Sequence, residues 1–70
     1  MQRVQINSSN VHSVGYEPAT SLLEVEFHDG RIYHYSNVPG KTVTGLMRSP
    51  SQGEYFHYYI KDQFQFRKVS

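Results

Sequence analysis

Seventy residues, 37% of them hydrophobic, make one small domain spanning residues 1–70, with no room for a second core. The absence of Cys excludes a disulfide framework and a thiolate zinc site, so packed aromatics, 14% of the chain, must supply the stability. A formal net charge of +1 argues against a dedicated, tight binder of duplex nucleic acid, which makes many phosphate contacts. Nothing over residues 1–11 resembles a signal peptide and no apolar run reaches membrane-spanning length, so the expectation is a cytoplasmic protein with no membrane partner.

In chain order, Val4 and Ile6 alternate with polar residues and then give way to Asn7-Ser8-Ser9-Asn10, short side chains that bond to nearby backbone and favour turns. This predicts an edge strand and a tight turn; the sharper reading is a cluster of hydroxyl and amide groups that contacts a ligand. Val14 and Tyr16 are spaced as in a strand, and Pro18 marks the next turn, because its ring fixes φ and it has no N–H for a ladder. Residues 22–35 form the element around which the chain is organised. Leu23, Val25 and Phe27 alternate with Glu24 and Glu26, Asp29-Gly30 reverses the chain, and Ile32-Tyr33-His34-Tyr35 returns.

Two turns fit that hairpin. With Asp29-Gly30 as a two-residue loop, Tyr33 and Tyr35 stand beside Glu26 and Glu24 on the wet face, as a platform. With His28-Asp29-Gly30 as a three-residue loop and Gly30 left-handed, Phe27 faces Arg31 and both tyrosines join Leu23 and Val25. A one-residue slip inverts every side chain, so the turn decides between platform and core. The bulged loop is favoured because it gathers five large apolar or aromatic residues on one face.

The period then changes. Pro39 can open a helix, and Val43, Leu46 and Met47 recur at helical spacing, predicting a helix over 39–47 that Ser49-Pro50 ends. Gly45 within it costs about 1 kcal/mol relative to Ala unless it permits close packing on the sheet. Ser51-Gln52-Gly53-Glu54 has the form of a capping box, predicting a second helix over 52–61 with Phe56, Tyr59 and Ile60 as its apolar stripe. Phe64 and Phe66 alternate with Gln65 and Arg67, a closing edge strand. The expected architecture is α+β: a three- to four-stranded antiparallel β-meander with two short helices packed on one face.

Ser8-Ser9-Asn10-Val11, Gly15-Tyr16, the strand Leu23-x-Val25-x-Phe27, Tyr33-x-Tyr35, Val38-Pro39, and Ser51-x-Gly53-x-Tyr55-Phe56 with Ile60 together resemble the KTSC domain. That family is named for a domain at the C-terminus of some lysyl-tRNA synthetases and also occurs as a small stand-alone bacterial protein. The resemblance covers nearly the whole chain in the family's order and departs at Tyr58-Tyr59, where polar or basic residues are more usual. It implies no established activity; its synthetase context suggests RNA.

No catalytic constellation stands out. Glu24 and Glu26 are about 7 Å apart on one strand face, an acid–base distance, but strands routinely carry charges there. His28 and His34 are expected near each other at the hairpin, with His12 and His57 on other elements, a set that no spacing compels into a metal site. There is no Cys nucleophile, serine elbow or phosphate-binding glycine loop. No cofactor, metal or small-molecule substrate is therefore expected, and the reading is a non-catalytic binding module. The first expectation is a protein partner or self-association, since Tyr55, Tyr58 and Tyr59 cannot all face one core and Tyr58 or Tyr55 should be exposed. The alternative is single-stranded RNA, stacked on Tyr33 and Tyr35 beside Arg31, or held by its phosphates at Ser51 and Gly53 near Arg48. Lys61, Arg67 and Lys68 could add a C-terminal basic strip.

Overall fold

A computed structural model describes residues 2–70. The strands β1 (Arg3–Gln5), β2 (Val11–Glu17), β3 (Leu22–Phe27), β4 (Ile32–Tyr35) and β5 (Phe66–Lys68) form one antiparallel sheet in sequence order; α1 (Gly40–Arg48) and α2 (Gln52–Tyr59) lie between β4 and β5. The α+β expectation holds, with five strands instead of three or four: the short run at Arg3–Gln5 is a fully paired edge, Arg3 facing Gly15 and Gln5 facing Ser13.

The bulged hairpin is the one formed. The Phe27 N–H donates to the Arg31 carbonyl, the Gly30 N–H donates to the Phe27 carbonyl, both at 2.9 Å, and Gly30 has φ 93°, a left-handed value that favours glycine. Leu23 therefore faces Tyr35 and Val25 faces Tyr33, on the same side as Val14 and Tyr16 of β2. A bulge between Val11 and Ser13 shifts the β2 register, so that Val11 faces Phe27 while Val14 faces Val25. Without it, Val11 and Val14 would point to opposite faces.

The helices cover this apolar side. Leu23, Val25, Val11, Val38, Leu46 and Ile60 are fully buried, each contributing about 1.5–3 kcal/mol by leaving water. Tyr16 ties the sheet to the entry of α1, its hydroxyl donating to the Val38 carbonyl at 2.6 Å. Gly45 permits close packing between the helices, not against the sheet: a Cβ there would lie 2.8 Å from Cζ of Tyr55, whose hydroxyl crosses to the Thr42 carbonyl at 2.9 Å.

Three local expectations fail around α2. Ser51 is the residue before the helix, but no side-chain cap forms there. The anchoring role passes to Gln52, whose side-chain oxygen accepts from the Asn7 N–H at 2.7 Å while its amide nitrogen donates to the Leu46 carbonyl at 3.4 Å. The helix also stops at Tyr59, and Tyr59 is not part of the buried stripe. It is 59% exposed and lies against Tyr55, whose ring has taken the gap at Gly45.

Candidate functional site

The two faces of the sheet have different chemistry. On the face away from the helices, Glu24 and Glu26 are bridged by Arg3, whose Nε donates to Glu24 and whose Nη1 donates to Glu26, each at 2.8 Å. Buried Ser13 donates its hydroxyl to Glu26 at 3.0 Å, and His34 Nε2 lies 2.9 Å from the second oxygen of Glu24. The hydrogen bonds from His34 and Arg3 hold the Glu24 carboxyl below its ordinary range. Each glutamate is thus engaged by its own sheet, in an arrangement that pins β1 to β3.

On the helix side, a groove of about 590 Å³ opens between the hairpin end of the sheet and the C-terminal half of α2. Its wall is aromatic: Phe27, Tyr33, Tyr35, Phe56 and Phe66 meet in edge-on and tilted pairs with ring centroids 5.3–6.0 Å apart. Phe66 reaches this wall because β5 pairs with β4 and sets Phe66 opposite Tyr35. The rim carries Arg31 and Asp29 on one side, and Lys61 and Asp62 on the other. Arg31 is occupied. Its Nε donates to Asp29 at 2.7 Å, its Nη1 lies 3.4 Å from the Tyr33 hydroxyl, and its guanidinium sits over the Phe27 and Tyr33 rings at 5.1 and 5.7 Å. Lys61 and Asp62 make no ion pair among the described residues.

Ser8, Ser9 and Asn10 close one end of the groove. Ser8 Oγ accepts from the Asn10 and Val11 N–H groups at 3.1 Å, and a Cβ on Gly53 would come within 3.2 Å of it, so the loop rests directly on α2. His28 Nε2 is 2.9 Å from the Ser8 carbonyl. A carbonyl only accepts, so that nitrogen carries the proton and the imidazole braces the loop backbone without activating the hydroxyl. His28 neighbours His12, at 5.3 Å between rings, and not His34, whose side chain lies on the opposite face with Glu24. The expected His28–His34 proximity fails because the bulged loop turns the hairpin tip toward residues 8–10. Among the described residues no three His, Asp or Glu side chains converge as metal ligands.

The sequence-derived candidates are distributed unevenly. Tyr33, Tyr35, Arg31 and Gly53 line the groove; Ser51 and Tyr58 line a shallower neighbouring depression together with Gly53; Arg48 lines neither. Tyr35 is 2% exposed and Tyr33 is half-buried, so they are not a solvent-facing stacking platform, although both border the groove. Tyr58 is 64% exposed. Arg67 and Lys68 do not join Lys61 in one strip, because as strand neighbours they face opposite sides of the sheet, Arg67 opposite His34 and Lys68 opposite Tyr33. The sequence reading missed Phe27, Phe56 and Phe66 as groove residues. Their signal was in the pattern, since all were read as apolar, but nothing local says that three elements leave a cleft where they meet.

A five-stranded meander with two helices on one face and an aromatic groove at their junction defines the class of protein. The sequence profile of the KTSC domain matches residues 7–64, and the chain belongs to the KTSC domain family. It is similar to a crystal structure of a KTSC domain protein from Yersinia pestis, with a TM-score of 0.89 and 36% identity, covering 99% of this chain and 97% of that one. An uncharacterized protein of Stutzerimonas stutzeri is 41% identical over 63 residues, covering 90% of this chain and 89% of the relative. A lysine–tRNA ligase of Nostoc is 42% identical over 62 residues, 89% of this chain but only 11% of the ligase. No helix among the described residues is long and apolar enough to cross a membrane.

Proposed function

We propose that the chain is a non-catalytic binding module whose groove receives a segment of a protein partner. The supporting observation is the pairing of an aromatic wall with a charge-balanced rim: Arg31 and Lys61 are matched by Asp29 and Asp62, and the Arg31 guanidinium is engaged by Asp29. Such a rim gives a polyanion little net attraction, while aromatic side chains are the usual energetic anchors of protein interfaces. Its size is that of sites which enclose a few side chains.

Selection from a displayed random-peptide library tests this. Wild-type protein should enrich a recurrent aromatic-containing motif, and Lys61→Glu combined with Phe66→Ser should lose it; failure to enrich any motif would remove the reading. Light scattering across a concentration series checks whether the segment is supplied by a second copy.

A second reading, single-stranded RNA, is favoured by one observation: relatives that carry a similar segment are lysine–tRNA ligases, which act on tRNA. Fluorescence anisotropy with single-stranded RNA at low and moderate salt separates the two. Binding that weakens steeply with salt supports RNA; no binding at low salt removes it.

A further inference from the structure

Tyr35 is the most deeply buried tyrosine of the chain, at 2% exposure, yet its hydroxyl has no hydrogen-bond partner among the described residues. By contrast, the Tyr16 and Tyr55 hydroxyls donate to the carbonyls of Val38 and Thr42, and the Tyr33 hydroxyl is met by Arg31. The Tyr35 hydroxyl is also not sealed off: no buried polar side-chain atom is left unsatisfied, and Tyr35 lines the groove, so the oxygen opens into it. A buried tyrosine normally satisfies its hydroxyl from within the fold. Here the one polar atom set deep in an aromatic wall is left to whatever enters.

The rim narrows the choice of ligand. Lys61 is the groove's lysine or arginine without a carboxylate partner among the described residues, while Asp29 already holds Arg31. The vacant interactions are therefore the exposed ring of Phe66, the hydroxyl beside it, and at the edge the Lys61 cation with the neighbouring Asp62 carboxylate, which favours a ligand whose own carboxylate approaches from the Lys61 side. We infer that the groove recognises a tyrosine of the partner segment, its phenol hydrogen-bonded to the Tyr35 hydroxyl and its ring lying against the half-exposed ring of Phe66, with a neighbouring carboxylate meeting Lys61. This rests on the protein-segment reading above and adds the identity of its anchor. Burial pushes the Tyr35 hydroxyl up to about 12, so it remains a donor throughout the neutral range.

Small probes separate each element by amide and side-chain NMR shifts. N-acetyl-tyrosine at up to about 20 mM, a range suited to a single anchored ring, should move resonances of Tyr33, Phe56 and Phe66. It should bind about fivefold more tightly than N-acetyl-phenylalanine, the effect of one hydrogen bond. In Tyr35→Phe, which removes an oxygen with no partner in the fold, that preference should disappear while the spectrum stays folded. N-acetyl-tyrosinamide should bind about threefold more weakly than the acid, and Lys61→Ala should erase that difference.

An unchanged preference in Tyr35→Phe, no shift at the groove with N-acetyl-tyrosine, or no loss with the amide would overturn the inference. If the peptide library still enriches another motif, only the anchor is wrong. If uridine monophosphate shifts the groove and the library enriches nothing, the protein-segment reading fails as well.

Discussion

The two faces of the sheet treat polar groups in opposite ways. On the outer face, Glu24, Glu26, Arg3, Ser13 and His34 engage one another, and the result is a closed set of bonds that holds the edge strand β1 in register. On the helix side the Tyr35 hydroxyl and the Lys61 and Asp62 charges have no such partners among the described residues, although they border an aromatic cleft. Charges on a strand are a weak guide to function when the sheet satisfies them itself. The polar groups that a small fold leaves unmatched beside apolar surface point more directly to a ligand.

The largest test of that contrast compares two changes at one position. Tyr35→Ala should cost about 3–5 kcal/mol, because it empties a core position packed against Phe56 and Phe66, and so small a domain should lose most of its folded population at ambient temperature. Tyr35→Phe should leave stability within about 0.5 kcal/mol of wild type, since it removes no bond within the fold. Urea denaturation of both separates ring from hydroxyl, and a large loss in Tyr35→Phe would mean that the hydroxyl has a structural role.

Next in size is Gly45→Ala. Helix propensity alone favours Ala by about 1 kcal/mol, but the added methyl overlaps the Tyr55 ring, so a net destabilisation of about 1–3 kcal/mol is expected. Pairing it with Tyr55→Ala should restore the ordinary benefit of Ala, which thermal melts of the double variant will show.

The two faces should also respond to opposite ends of the pH scale. Glu24 has a folded value below its ordinary 4.5, so its contribution is present above that pH and is lost as acid protonates the folded carboxylate. Melting temperature should fall on acidification below about 4.5, less so in Glu24→Gln. Tyr35 is raised from 10.0 to about 12, so its contribution is present below pH 10 and is lost as pH rises through 12. Tyr35→Phe should blunt the alkaline loss and leave the acid limb unchanged. The smallest effect is expected from Asp29→Asn, which breaks an exposed pair with Arg31 and should barely move the melting temperature. It frees the guanidinium, however, and should increase any affinity for short RNA.

The alternation of Leu23, Val25 and Phe27, the turn at Gly30 and the helical spacing after Pro39 were sufficient to place the meander and both helices, because each depends on the local period and on turn chemistry. The choice of the bulged loop was legible too, since only that register puts five large apolar side chains on one side. What tertiary structure alone decided is where the faces meet. Whether Gln52 or Ser51 anchors α2, which tyrosine fills the gap at Gly45, and which histidines are neighbours all depend on segments distant in sequence. The groove is of the same kind. Phe27, Phe56 and Phe66 each obey a local pattern that says only "apolar", and the cleft between them exists because β5 returns beside β4 after the helices have packed.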